Sequence, residues 1–437
     1  MRKILLGAIL LFISLNIAAQ DTDYVLLISV DGMRPEFYLS DKWDTPVLKK
    51  LKSEGVYAEG MKTIFPSVTY PSHTSIITGS YPAEHGIFYN IPLLEKNDHW
   101  YYEHDSIKTQ SLWDATDKAG LITGSVYWPV SVGAPITYNF PVRRPDNIEK
   151  KEFNQITLTE KFVTPKNLMS DMVSKGIMTK EPSQFTFPEQ DATIGRIGGY
   201  ILRNYQPNLT AVHFLGTDHY AHDYGADSKE VHDAMAFIDK EIGKLIDILE
   251  EKGIRERTAI IIVGDHGMAD SDITFSPNTI LRDLGLIDDT SWAAKFKTEG
   301  GSAFLYLNDP ATLLVILEKL DQLSPEVKKL FTIIDIEQLI EVGADPDAAL
   351  ALAMNKGVVA NGSIKGDLVG KKKKGGSHGY FPTMDEMQTG FIISGAGIKK
   401  GSSLKTIEIT EVAPLIAELL KVPFGKSSLV ASQIIEK

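Results

Sequence analysis

Six side chains in short, separated stretches have the types and spacing to bind cations. Asp218-x-x-x-His222 sets a carboxylate and an imidazole four residues apart. On a helix or a tight turn both face the same way. Asp265 and His266 are adjacent at the end of an apolar run, and Asp31 ends another. His378 sits in Gly375-Gly-Ser-His-Gly379, where small neighbours let the backbone turn closely. Taken singly, an Asp after a strand is a cap or turn residue. Taken together, six N and O donors suit two divalent ions, each with three protein ligands and an open position. With no cysteine in the chain, thiolate metal sites, disulfides and cysteine nucleophiles are excluded.

A second stretch, Phe65-Pro-Ser-Val-Thr69-Tyr70-Pro71-Ser72-His73 and onward to Asn90, is dense in hydroxyls, prolines and glycines. A hydroxyl becomes a nucleophile when a metal lowers its pKa and shields the alkoxide. Spacing alone leaves Ser67, Thr69, Ser72, Thr74 and Ser75 all open, with a rigid proline-flanked loop as the plain alternative.

These residues need a scaffold. Tyr24–Val30 is a continuous apolar run typical of a strand buried on both faces, and 210–215, 258–263 and 390–394 repeat the pattern, with 121–127 a weaker instance. Between them, 229–252 repeats apolar residues three and four apart and stops at Gly253. Segments 110–119, 191–204 and 411–420 are further helix candidates. Strands alternating with helices imply a layered α/β core with a mainly parallel sheet. Ligands sit at the carboxyl ends of such strands, so Asp31, Asp218, Asp265 and His266 are expected to converge on one edge. Residues 271–374 read as an insertion, or cap, over that edge. Its Lys371–Lys374 run reads as a solvated loop.

Composition bounds the rest. Of 437 residues, 43% are hydrophobic and 23% charged, which is ordinary for a globular chain. A formal charge of −12 disfavours a broad phosphate-backbone footprint and so a nucleic-acid partner. Residues 1–19 combine Arg2 and Lys3, an apolar run and Asn16-Ile17-Ala18-Ala19, the pattern of a cleaved export signal. The expected mature protein is periplasmic or secreted, without a transmembrane anchor.

Several motifs occur in order: Val30-Asp31-Gly32-Met33-Arg34-Pro35, Thr69-Tyr70-Pro71-Ser72-His73, Thr78-Gly79-x-Tyr-Pro82-x-x-His85-Gly86-Ile87, Tyr127-Trp128-Pro129, Asp218-x-x-x-His222, Asp265-His266-Gly267-Met268 and His378-Gly379-Tyr380. The set resembles the nucleotide pyrophosphatase/phosphodiesterase family of the alkaline phosphatase superfamily, along nearly the whole chain. The resemblance implies an alkaline-phosphatase-like α/β/α core, formed by 20–270 and 375–437, and two Zn²⁺ ions. It assigns Asp218, His222 and His378 to one ion. Asp31, Asp265 and His266, completed by the Thr69 oxygen, fall to the other. It makes Thr69 the nucleophile, Asn90 a holder of a non-bridging phosphoryl oxygen, and Tyr70 a ring that stacks on the substrate. One departure is Ser72, where animal members usually carry Asn.

The implied activity is hydrolysis of phosphodiester or pyrophosphate bonds of nucleotides to nucleoside monophosphates through a phospho-threonine. Two Zn²⁺ would balance three aspartates and a threonine alkoxide, leaving a neutral site suited to a singly charged diester. Phosphomonoesterase relatives carry extra cations, one branch in a Lys-x-Arg pair after the third strand; here the chain reads Tyr127-Trp128-Pro129-Val-Ser-Val-Gly-Ala. The alternatives within the superfamily are a phosphomonoesterase and a phosphocholine-type phospholipid hydrolase. Outside it stands a silent zinc- or nucleotide-binding exported protein.

Overall fold

Alternate side chains of the Tyr24–Val30 strand enter two different cores, with Leu26, Ile28 and Val30 on one side and Val25 and Leu27 on the other. A strand covered on both faces belongs in the middle of a sheet between helix layers. In the computed structural model, which describes residues 22–436, it pairs in parallel with Leu209–Phe214 and Thr258–Gly264. The expected signal segment lies outside the described residues.

The sheet has eight strands, in the order Ser402–Leu404, Val56–Ala58, Phe391–Gly395, Thr258–Gly264, Tyr24–Val30, Leu209–Phe214, Thr123–Val126, Tyr138–Phe140. All pairs are parallel except those of Phe391–Gly395, which runs against both neighbours. Helices Glu189–Tyr205 and Lys229–Glu251 cover one face through Ile194, Ile197, Met235, Ile238 and Ile242. Helices Thr69–Thr78 and Val412–Leu419 cover the other through Ile76, Ile77, Leu415 and Ile416. Each such buried side chain contributes about 1.5–3 kcal/mol. The result is the α/β/α arrangement expected from the alternation of strands and helices.

The stretch read as an insertion carries two smaller sheets. Ala294–Glu299, Ser302–Leu307, Leu350–Met354 and Phe331–Ile334 form an antiparallel four-stranded sheet. Gly357–Ala360, Ala269–Phe275 and Val369–Ser377 form a three-stranded one. The lysine run is not a loop. Lys371–Lys374 lies inside the Val369–Ser377 strand, whose register against Ala269–Phe275 breaks between Lys371 and Gly375. Lys374 pairs with Asp270 at 3.1 Å and Lys372 donates to Ser271 Oγ at 3.1 Å. Backbone pairing with the Ala269–Phe275 strand overrides the poor strand preference of a polar, Gly-flanked sequence.

Two turns set the site edge. Asp31 donates its N–H to Phe214 O, and Gly32 follows at φ +70°, a conformation that costs glycine nothing. At the end of Leu209–Phe214, the N–H groups of Leu215 and Gly216 donate to Asp191 Oδ1 and Oδ2, both at 2.9 Å. A Cβ at Gly216 would stand 2.4 Å from Asp191 Oδ2, so the turn needs glycine. From this turn springs the Gly216–Tyr224 helix that carries Asp218 and His222.

Burial raises the Asp191 pKa to about 7, against 3.8 for an ordinary aspartate. A carboxyl raised in the fold contributes stability that is full below its unfolded pKa and is lost as pH rises through the folded one. Wild-type stability, measured by urea titration, should therefore decline between pH 4 and 7 relative to Asp191→Asn. At pH 7 Asp191→Ala, which strands two N–H groups, should cost about 2–3 kcal/mol.

Candidate active site

The six expected ligands meet at the carboxyl edge of the large sheet in two adjoining groups. One is Asp218, His222 and His378; the other is Asp31, Asp265 and His266. Within each, the potential ligand atoms lie within 4.8 Å of one another. His222 Nε2 is 3.3 Å and His378 Nε2 3.7 Å from Asp218 Oδ1. His266 Nε2 is 3.2 Å from Asp31 Oδ1 and 3.3 Å from Asp265 Oδ2. The rings of His266 and His378 stack at 3.7 Å and join the two groups.

The sequence positions these atoms through the backbone. In each of the three histidines, Nδ1 faces a main-chain carbonyl: Gly267 O for His266 at 3.0 Å, Ser67 O for His378 at 2.9 Å, and Gly376 O for His222 at 3.2 Å. A carbonyl only accepts, so Nδ1 carries a proton and Nε2 is the nitrogen turned toward the site. That is the arrangement of metal-binding imidazoles. His378 is further held by the Gly300–Gly301 turn, whose Gly301 N–H donates to His378 O at 2.7 Å.

The carboxylates need a cation. Asp31 Oδ1, Asp218 Oδ1 and Asp265 Oδ2 are buried and lack a hydrogen-bond partner. Burial and the Asp218 charge push the Asp31 pKa up, and burial and Asp31 push that of Asp265 to about 6. For Asp218, burial acts upward, but the attraction of His222 wins and brings the pKa down. His266, opposed by its own burial, is raised to about 10 by Asp265 and Asp31. Burial and His266 push His378 the other way. Carboxylate oxygens without hydrogen-bond partners, set beside imidazole Nε2 atoms, fit divalent cations of the zinc type.

Spacing left five hydroxyls open, and the structure separates them. Ser67 Oγ donates to Tyr380 O and accepts from Gly379 N. Thr74 Oγ1 donates to Tyr70 O, Ser75 Oγ meets His85 Nε2, and Ser72 lies 3.4 Å from Thr63 Oγ1. Those four are buried. Thr69 is partly exposed, opens the Thr69–Thr78 helix, and has Oγ1 3.4 Å from His266 Nε2. The positive end of the helix favours an anionic oxygen there. Asn90 Oδ1 accepts from Tyr70 N at 2.9 Å, which orients the amide and leaves its NH₂ group as the donor.

A small pocket of about 90 Å³ opens beside Thr69, lined by Asp31, Asp218, Tyr70, Trp100, Tyr127 and Arg144 among others. Tyr70 presents a wall of it, although the residue is 4% exposed and makes edge contacts with Trp100 at 5.0 Å and Tyr102 at 6.1 Å. Trp100 and Arg144 were not singled out from sequence. Their only signals are an aromatic run at 100–102 and an Arg-Arg pair at 143–144. His213 and His73 were also passed over as ligands. His213 Nε2 backs Asp31 Oδ2 at 3.2 Å, and His73 Nδ1 lies 3.5 Å from Asp265 Oδ2.

A cation entering the Asp31–Asp265–His266 group must displace the proton that His266 holds at neutral pH. Zn²⁺ titration of chelator-treated protein at pH 7 should therefore release protons, and affinity should rise with pH. Calorimetry in buffers of different ionisation enthalpy reads the release; equal heats in every buffer would contradict it.

The chain is similar in sequence and fold to several known proteins. A model of the type I phosphodiesterase/nucleotide pyrophosphatase family matches residues 25–381. Human ectonucleotide pyrophosphatase/phosphodiesterase family member 1 is 26% identical over 266 residues, 57% of this chain and 24% of that protein. Bovine member 3 is 24% identical across 92% of this chain and 42% of its own length. Rat member 7 is 24% identical across 92% of this chain and 84% of its own. The chain thus spans less than half the length of the first two relatives. Among solved structures, human ectonucleotide pyrophosphatase/phosphodiesterase 5 superposes with a TM-score of 0.67 at 20% identity, covering 94% of this chain and 99% of that one. The murine counterpart, an inactive threonine-to-alanine variant in complex with AMP, gives 0.65 at 19% identity, covering 94% of this chain and 100% of its own. By the extent of the family match, the chain belongs to the type I phosphodiesterase/nucleotide pyrophosphatase family, whose members are metal-dependent hydrolases.

Proposed function

We propose that this protein is an exported two-zinc phosphodiesterase that cleaves phosphodiester or pyrophosphate bonds of nucleotides and releases nucleoside monophosphates. The observation that carries the reading is Thr69, a hydroxyl at a helix start whose Oγ1 lies 3.4 Å from His266 Nε2 and which shares a pocket with the Asp31 and Asp218 carboxylates. Export is supported by the residue 1–19 pattern and by the ecto-enzyme names of the relatives. No helix of the described residues is long and apolar enough to cross a membrane. Residues 20–270 and 375–437 are assigned as the catalytic core and 271–374 as the cap.

Asp218, His222 and His378 would hold one Zn²⁺, and Asp31, Asp265, His266 and Thr69 Oγ1 the other. Bound there, the ions would supply Lewis acidity, lowering the pKa of oxygen ligands and neutralising charge at phosphorus. Thr69 Oγ then attacks phosphorus in line with the leaving oxygen. The P–O bond to Thr69 forms as the P–O bond to the leaving group breaks, giving a phospho-threonine. The Asn90 NH₂ group donates to a non-bridging oxygen as charge builds there. Tyr70 offers its ring to the base or aryl group. Attack of water on phosphorus then frees Thr69 and releases the monophosphate.

Two measurements test this. With Zn²⁺ present, a p-nitrophenyl nucleotide diester should be hydrolysed well ahead of p-nitrophenyl phosphate. A faster monoester, or a preference for phosphocholine esters untouched by Tyr70→Ala, would overturn the substrate class. Thr69→Ala should lower turnover by roughly a thousandfold or more while elemental analysis still finds zinc, and Thr69→Ser should keep part of the activity. Near wild-type turnover in Thr69→Ala would remove Thr69 from the mechanism.

A further inference from the structure

Arg144 is a cation in the wall of the site pocket. Its guanidinium stands 5.9 Å from the Trp100 ring, and no carboxylate among the described residues forms an ion pair with it. Its neighbour Arg143 differs: it is buried, pairs with Glu149 at 2.7 Å and covers the Tyr102 ring at 4.5 Å. That pairing anchors the segment. His99 Nδ1 on Asp146 Oδ2 at 3.3 Å, and Asn147 N–H on Asn97 O at 2.7 Å, tie it to the loop that carries Trp100. Two cross-linked loops thus hold an arginine fork and an indole together at the pocket mouth.

The position within the pocket is informative. The charge of Arg144 is felt by the hydroxyls of Tyr70, Tyr102 and Tyr127, and by the His219 ring. Arg144 stands beside Trp100, whose ring meets that of Tyr70 edge-on at 5.0 Å, and so borders the aromatic side of the pocket, where the organic arm would lie. A planar fork of donors without a carboxylate partner is matched to phosphate or carboxylate oxygens.

We propose that Arg144, braced by Trp100, is a specificity residue that binds a second anionic group carried on the substrate arm lying against Tyr70. The favoured substrates are then diesters bearing a further phosphate or carboxylate on the transferred half, and arms with a cationic end are disfavoured. This rests on the phosphodiesterase reading and narrows it.

Three p-nitrophenyl aryl phosphates that differ only in the retained arm test it: phenyl, 4-carboxyphenyl and 4-(trimethylammonio)phenyl. The zinc-loaded wild type should prefer carboxyphenyl to phenyl in kcat/KM, mainly through KM, and should turn over the trimethylammonio ester least. Arg144→Ala should reduce the carboxyphenyl-to-phenyl ratio by about tenfold or more, with partial recovery in Arg144→Lys. Indifference of the wild type to the charge of the arm would overturn the proposal. So would an equal loss on all three esters, which would place Arg144 at the phosphoryl group or in the scaffold. If no ester is cleaved, the phosphodiesterase reading fails. Calorimetric binding of 4-carboxyphenyl and phenyl phosphate to the zinc-loaded protein and to Arg144→Ala then still decides the anion site: tighter binding of the carboxyphenyl compound, lost in the variant, upholds it, and equal binding overturns it.

Discussion

Three carboxylates forced into one buried edge are the constraint around which this molecule is organised. Asp31, Asp218 and Asp265 come from three neighbouring parallel strands or the turns after them, and each has an oxygen without a hydrogen-bond partner. Two like charges about 4 Å apart at an effective dielectric of ~20 repel by about 4 kcal/mol. A fold does not collect such charges without a counter-charge. In the protein alone His266 supplies part of it, because the charges of Asp265 and Asp31 raise its pKa and keep it protonated. Divalent cations would do so more completely.

The surroundings hold this edge rigid. Backbone carbonyls fix the three histidine rings, Asp191 fixes the turn before Asp218, and Asp265 Oδ1 accepts the N–H groups of Gly32 and His266 at 3.0 Å each. Behind the carboxylates, burial drives His73 and His213 down to about 3 and 4, so they stay neutral at physiological pH. They add polar contacts without adding competing charge. The site thus keeps its net negative character for cations, while Arg144 brings positive charge to the aromatic end of the pocket.

What could be read from sequence was what local chemistry dictates. The Tyr24–Val30 run, the Lys229–Glu251 periodicity and the ligand motifs carry their own signals, and the fold follows from their alternation. The reversed direction of Phe391–Gly395 does not, because an apolar strand buried on both faces reads the same either way. The strand at Lys371–Lys374 is invisible for another reason: its partner is about a hundred residues away, and its own residues prefer a loop. Trp100 and Arg144 reach the pocket through loop packing, which leaves no periodic trace. Spacing alone did not separate Thr69 from the other four hydroxyls; the family resemblance singled it out, and the structure shows those four buried while Thr69 is partly exposed.

The hairpin turn at Gly300–Gly301 has a consequence for how the site comes into being. It grips the carbonyl of His378, so the last candidate ligand in the chain is set in place by a sheet assembled from residues 294–354. Without that sheet the strand-end aspartates would lack the final imidazole in its place. If the Asp218 group holds an ion, its occupancy would report completed assembly, and local opening of the smaller sheet would let the ion escape without global unfolding.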